Sequence, residues 1–387
     1  MQNIKELYQK INKVIKKKSG LHEPTFDHLD IREISRCVKS SFVSTYGKYV
    51  TKFEGLLKEY TKSKYVIATN TGTAALHIAL KVAGVKKNTN VLLPTLSFVA
   101  TGNCVIYNEA NPIFLDSSES SLCLDEKKLE DYIKKETIFF KKKRYAKFNN
   151  KVISAIVTTH VFGSSPNIKK IISIGKKYSI PVVEDCAEGL GSFYKKKHLG
   201  TYGDIGVLSF NGNKIITSGS GGAIITNSKK KYLEALHLVS VAKVKHKWSF
   251  FHDRLGWNYR ISSLSASLGY SQLKKIRNIL KKKKILHQRY KKQFKNNQNF
   301  KIINLDSHNN LKSNYWLNAI QINTKNISKT KVLNYLNKRG VQYRLVWDLL
   351  HTLPYFSKYK SYKIENSNKL FNSVILLPSS PSLIKNF

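Results

Sequence analysis

Between about residues 31 and 240 the chain alternates short β-branched apolar runs with stretches whose apolar positions recur every three or four residues. The first kind suits strands buried on both faces, and the second suits helices that bury one side. Strands are expected at Tyr65–Ala68, Asn90–Pro94, Pro112–Leu115, Val152–Thr158, Pro181–Glu184, Ile205–Phe210 and Gly222–Thr226, with helices between them that include Ala74–Val82, Asp125–Lys135 and Ile168–Lys177. Alternation of this kind predicts an α/β domain built on a mostly parallel sheet. Beyond about residue 250 the pattern changes to a basic helix, Ser263–Lys295, then a strand at Tyr315–Ile322, a helix at Ser328–Arg339 and a strand at Val341–Val346. That order predicts a smaller C-terminal α+β domain. At the start, Ile4, Leu7, Ile11, Val14 and Ile15 keep helical spacing among lysines, without the continuous apolar core of a signal peptide. The expected organisation is a helical arm (1–30), a large α/β domain (31–250) and a small domain (251–387), closely packed because no Pro-, Gly- or Ser-rich linker separates them.

Composition narrows the class. A length of 387 residues with 41% hydrophobic and 11% aromatic residues is that of a folded protein with room for a buried site. No apolar run approaches the roughly 18 residues of a membrane span, so a cytoplasmic protein is expected. Cys37, Cys104, Cys123 and Cys186 form no CxxC pair and read as buried thiols; no metal site is expected. The formal net charge of +43 raises nucleic acid or an anionic surface as partners. The lysines, however, fall in scattered short runs (Lys16–Lys18, Lys141–Lys143, Lys195–Lys197, Lys229–Lys231, Lys281–Lys284) with no recognisable nucleic-acid-binding module. Solvated faces are the preferred reading over nucleic acid, anionic ligands or a membrane surface.

Ligands of open α/β sheets gather beyond the carboxyl ends of the strands, and three places there carry chemistry. Thr69-Asn70-Thr71-Gly72-Thr73 lies between a strand and a helix, where small residues expose N–H groups to an anion; an ordinary helix cap is the competing reading. Asp185 ends an apolar run, and a buried carboxylate there needs a partner, either a protonated ring nitrogen or the start of the next helix. Lys214 is the only lysine between His198 and Ser228 in a lysine-rich chain. An amine set between an apolar strand and the small-residue turn Ser218-Gly219-Ser220-Gly221-Gly222 is desolvated, which favours a Schiff-base nucleophile; a single snorkelling lysine is the alternative. Neither GxxxxGK[ST] nor GxGxxG is present.

Taken in order, Gly72-Thr73-Ala74-Ala75-Leu76-His77, Ser97-Phe98-Val99-Ala100-Thr101, Val183-Glu184-Asp185, Ser209-Phe210 with Lys214, and Gly256-Trp257-Asn258-Tyr259-Arg260 resemble the DegT/DnrJ/StrS family of sugar aminotransferases. The resemblance implies the fold-type I, aspartate aminotransferase-like architecture, pyridoxal 5′-phosphate as cofactor, and a homodimer with shared active sites. It makes Lys214 the lysine that holds the cofactor and Asp185 the partner of the pyridine nitrogen. It places Phe98 on the cofactor ring, Gly72, Thr73 and Ser209 at the phosphate, Asn258 on the phosphate of the neighbouring subunit, and Glu188 beside the cofactor hydroxyl. His160, in Thr159-His160-Val161-Phe162-Gly163, and Arg260 are candidates for the substrate side, a core histidine being the competing reading of His160.

Finer resemblance, through Leu208–Lys214, Ala242–Trp248 and Val346–His351, is to the branch acting in UDP-N-acetylbacillosamine and legionaminic-acid pathways. Ser220 replaces the usual Glu or Gly and Cys186 the usual Ala, and neither removes a group the chemistry requires. Lys214 argues against the relatives that carry His there and act as dehydratases. The implied reaction moves an amino group from glutamate to a UDP-linked 4-keto-6-deoxy-N-acetylhexosamine. GDP-4-keto-6-deoxymannose is the alternative substrate, and a basic nucleic-acid-binding protein on a retired enzyme fold is the rival from another class.

Overall fold

Eight strands form the central sheet, in the order Tyr65–Thr69, Gly222–Thr226, Ile205–Ser209, Val182–Asp185, Ile153–Thr159, Asn90–Pro94, Asn111–Leu115 and Ser361–Tyr362. All pairings are parallel except those of Gly222–Thr226, which runs antiparallel to both neighbours. The structure, a computed structural model, describes residues 2–15, 19–323 and 328–384; Met1 and the run Lys16–Lys18 lie outside them.

Strand alternation sends side chains to two cores. Ile67, Val91, Leu93, Val157, Val183, Val207 and Ile224 pack under helices Gly72–Val82, Val99–Tyr107 and Lys229–Val239. On the opposite face Leu92, Ile113, Ile156 and Val182 meet helices Glu126–Glu136 and Ile168–Lys177, while Ala68, Leu208, Ala223 and Ile225 meet Lys48–Thr61 and Ser263–Lys274. With both faces covered, the strands are nearly continuous apolar runs, which is what made them visible in the sequence. Short polar residues set the helix starts: Thr71 caps Gly72–Val82 by accepting from the Ala74 N–H at 2.9 Å, and Asp125 accepts from the Lys127 and Lys128 N–H groups.

A second, antiparallel sheet joins Phe300–Ile302, Asn318–Ile322, Val374–Leu377 and Arg344–Leu345. Helices Gln2–Val14, Ile276–Gln293 and Lys329–Asn337 share a core with it through Leu7, Ile11, Leu286, Tyr290, Ile320, Leu336 and Ile375. The C-terminal part also returns to the central sheet, where Ser361–Tyr362 adds its edge strand beside Asn111–Leu115.

Three expectations change. The single basic helix is two, Ser263–Lys274 and Ile276–Gln293, because Lys275 leaves helical geometry (φ −95°, ψ 0°) and ties its amine to Asp27 and Asp30. The strand expected over Val341–Val346 shrinks to Arg344–Leu345, since the N–H groups of Gln342 and Tyr343 are taken by the Ser19 carbonyl and the Asn337 side chain. The run Lys281–Lys284 is not uniformly solvated: Lys283 is fully buried and donates to the carbonyls of Trp316 and Ser379. Burial holds its amine well below the ordinary lysine range.

Candidate active site

A cavity of about 300 Å³ opens at the carboxyl ends of the parallel strands. Its walls include Gly72, Thr73, Phe98, His160, Asp185, Glu188, Ser209 and Lys214, so eight of the ten residues singled out in the sequence face one space.

One end of the cavity is the N-terminus of helix Gly72–Val82. The first N–H groups of a helix have no partner inside it, and with the helix dipole they favour an anion. Closeness here depends on glycine: a Cβ on Gly72 would lie 2.8 Å from the Ser209 Cβ, and one on Gly222 would lie 2.5 Å from the Thr71 carbonyl. The Ser209 hydroxyl is thereby held against the first turn.

Lys214 sits in the turn that follows Phe210, its side chain only 12% exposed. Its amine lies 4.0 Å from the centre of the Trp316 ring and 3.5 Å from the Glu188 carboxylate. Trp316 is fixed in turn by its indole N–H, which donates to the Asn213 carbonyl at 2.7 Å. Burial pushes the Glu188 carboxyl up to about 7, against the pull of Lys214 and of the Phe162 N–H, which donates to it at 2.8 Å.

That shift has a measurable consequence. A carboxyl raised from its ordinary value near 4.5 binds a proton more tightly in the folded chain, so its stabilising contribution is complete below about 4.5 and is lost as the pH rises through about 7. Glu188→Gln should remove this part of the pH dependence. By calorimetry of the cofactor-free protein, the wild-type midpoint should fall across that window by about 2–5 °C more than the variant's; parallel curves would show that Glu188 titrates normally.

Asp185, also lining the cavity, accepts from the Thr101 hydroxyl at 2.7 Å and from the Ala187 N–H at 3.2 Å. Thr101 is itself hydrogen-bonded to Ser97. His160 has its Nε2 3.0 Å from Glu184 and its Nδ1 buried without a partner. Burial would raise the Glu184 carboxyl, but His160 and the N–H groups of Gly203 and Gly200 outweigh it and hold it below the usual range. An ionised Glu184 requires a proton on Nε2, which leaves Nδ1 as a free acceptor if the ring is neutral. Phe98, half-exposed, stands at the mouth edge-on to Trp347.

Two residues lie elsewhere. Arg260 is held by Glu54 at 2.9 Å, and Glu54 also accepts from the Ala68 N–H, so this pair braces the strand leading to Gly72. Asn258 is exposed beside Asn70, outside the cavity of its own chain. Trp316, Trp347, Thr101, Asn211 and Asn213 also line the cavity and were not expected there individually. Thr101 had a signal as the end of the Ser97–Thr101 motif, Asn211 and Asn213 lay within the segment Leu208–Lys214 and Trp347 within Val346–His351; Trp316 had none.

The profile of the DegT/DnrJ/EryC1/StrS aminotransferase family matches residues 24–386. The chain belongs to this family. It is 31% identical over 364 residues to the GDP-perosamine synthase of Escherichia coli O157:H7, covering 94% of this chain and 93% of that protein. It is 34% identical over 280 residues to the UDP-4-amino-4,6-dideoxy-N-acetyl-beta-L-altrosamine transaminase of Campylobacter jejuni serotype O:23/36, covering 72% and 70%. Among solved structures, Helicobacter pylori PseC, an aminotransferase involved in the biosynthesis of pseudoaminic acid, superposes with a TM-score of 0.85 at 24% identity over 94% of each chain.

The family expectation and the α/β fold are thus borne out, and the chain is a pyridoxal-phosphate-dependent aminotransferase. The donor set fits that cofactor. A lysine amine, a carboxylate, a helix N-terminus with an adjacent hydroxyl and a glycine whose Cβ would fill the cradle all converge on one cavity. Among the described residues no group of His, Cys, Asp and Glu is placed to hold a metal ion, and no helix is long and apolar enough to cross a membrane.

Proposed function

We propose that this enzyme moves an amino group from glutamate to the keto carbon of a nucleotide-linked 4-keto-6-deoxy sugar, in two half-reactions at the cavity around Lys214. The observation that carries this reading is that the Lys214 amine and the Asp185 carboxylate face the same cavity, with the helix N-terminus at Gly72 closing one end. When bound, pyridoxal phosphate supplies a conjugated ring that accepts the electron pair left as a proton leaves carbon. The chain's own residues do the rest. Lys214, its amine set beside Trp316 and Glu188, would hold the cofactor and would carry the proton. Asp185, fixed by Thr101, would keep negative charge at the ring nitrogen. Gly72, Thr73 and Ser209 would hold the phosphate, Phe98 would cover the ring, and Glu188 would lie beside the ring hydroxyl.

The substrate we favour is a UDP-linked 4-keto-6-deoxy-N-acetylhexosamine, supported by the segments Leu208–Lys214 and Val346–His351 and by the Campylobacter relative, the more identical of the two. GDP-4-keto-6-deoxymannose is the second reading, favoured by a match to the E. coli relative along almost the whole chain. Single-turnover assays of both keto sugars with glutamate-loaded enzyme decide between them. At least about a tenfold preference in kcat/KM for the UDP sugar is expected, and a preference for the GDP sugar would reverse the assignment.

The same reading makes the working unit a homodimer whose Asn258 serves the partner's site. Its support is the loop that carries Asn258, where Trp248, Phe250, Phe251 and Leu255 stand exposed on one chain and need a cover.

A further inference from the structure

Strands Thr137–Phe140 and Lys143–Ala146 form a two-stranded hairpin outside both main sheets. The function proposed above makes no use of it. Its register sets Ile138 opposite Tyr145, Phe139 opposite Arg144 and Phe140 opposite Lys143. Because side chains alternate along a strand, Ile138, Phe140, Lys143 and Tyr145 share one face, and Phe139 and Arg144 share the other.

On the second face Arg144 reaches the body of the protein. The Arg144 guanidinium lies 5.2 Å from the Phe139 ring centre and 5.0 Å from that of Tyr178, a buried residue. Apolar side chains stay exposed on both faces: Ile138 is 45% and Phe140 55% exposed on the first, where the Phe140 ring meets Tyr145 edge-on, and Phe139 is 59% exposed on the second. Lys141 and Lys142 make the turn in the left-handed region (φ 45° and 62°), and the Lys141 amine lies 5.2 Å from the Phe140 ring.

Charge divides along the same hairpin. Nearer the body the cations have acidic partners: Lys134, Lys170 and Lys177 share the single carboxylate of Glu130, and Lys135 shares that of Asp131 with Lys363. At the tip, Lys141, Lys142 and Lys143 are exposed and make no ion pair with any described residue.

We propose that this hairpin docks the enzyme on an anionic lipid surface, with Phe140 and Ile138 entering the interfacial layer and Lys141, Lys142 and Lys143 lying among the lipid phosphates. An aromatic ring and an aliphatic side chain ringed by long cationic stems match a boundary that is apolar on one side and negatively charged on the other. The net charge of +43 draws the whole molecule toward such a surface. Ile138 offers neither a π face nor a hydrogen-bonding group, which suits acyl chains and not nucleotide bases. A second copy pairing tip to tip would set one trio of lysines against another, and like charge opposes that. One hairpin gives weak, reversible attachment, of the kind that needs both the apolar and the charged part.

The experiment is co-sedimentation of the cofactor-loaded enzyme with vesicles of phosphatidylcholine alone and of phosphatidylcholine with about 30% phosphatidylglycerol, in low and high salt. Wild type should pellet with the anionic vesicles, lose about tenfold in apparent affinity between about 50 and 300 mM salt, and ignore the neutral ones. Phe140→Ser and the triple change Lys141→Gln, Lys142→Gln, Lys143→Gln should each lower binding about tenfold while transaminase turnover and thermal midpoint stay at wild-type values. A Phe140→Trp variant adds a direct readout, since brominated acyl chains should quench its extra fluorescence. Three results would overturn the proposal: binding unchanged in both hairpin variants, no quenching, or displacement of the hairpin by single-stranded RNA with no vesicle binding. A variant that changes only the oligomeric state would show that a second copy covers the hairpin, and would overturn it as well.

Discussion

Replacing Lys214 by alanine should abolish turnover, by about 10⁴-fold or more, since one amine both holds the cofactor and carries the proton, and a positioned proton carrier alone contributes about 10²–10⁴-fold. The variant should fold. Lys214 lies in a turn, where its amine stands beside Trp316 and Glu188. Its cofactor should then dissociate on gel filtration, and the visible absorption of the covalently held form should be missing. Added small primary amines should restore part of the proton transfer, which a collapsed site would not permit. A variant that kept full activity would mean that another group holds the cofactor, and no other lysine is among the residues lining this cavity.

Asp185→Asn should leave the cofactor bound but slow the half-reaction with glutamate by about 10²–10³-fold, the range lost when one preorganised electrostatic group is removed from an active site. The exchange is nearly isosteric, and an amide oxygen can still accept from Thr101, now at 2.7 Å from the carboxylate. What disappears is the negative charge opposite the ring nitrogen. Stopped-flow absorbance separates the outcomes: a slowed spectral change at unaltered cofactor occupancy supports the role, whereas an unchanged rate removes it.

These two residues were visible in the sequence because each breaks its surroundings. Asp185 ends an apolar run, and Lys214 stands alone in a stretch that excludes lysine. The central strands were legible for a related reason, since strands buried on both faces cannot hide among polar residues. Trp316 left no such trace, and Trp347 showed only as part of the segment Val346–His351. They reach the cavity from segments more than 100 residues beyond Lys214, and an aromatic residue in an apolar neighbourhood looks like any other core residue.

Lys283 was misread for the opposite reason, because its run of four lysines masked the helical stripe Ile276, Ile279, Lys283, Leu286, His287 and Tyr290, all buried. Spacing alone could have singled it out. The break at Lys275 had no local signal, as neither Pro nor Gly marks it; the two halves part because each follows its own packing partners and because Asp27 and Asp30 hold the lysine between them.

The cavity draws its walls from positions as far apart as Thr71 and Trp347. During synthesis the early strands and the loop holding Lys214 must therefore wait for the chain to deliver its closing aromatic residues, and contacts of that sequence separation make folding slow. The nascent protein cannot exclude water from its amine until that late segment arrives, so a ribosome-bound chain halted near residue 300 should show native-like helical content and no retention of pyridoxal phosphate.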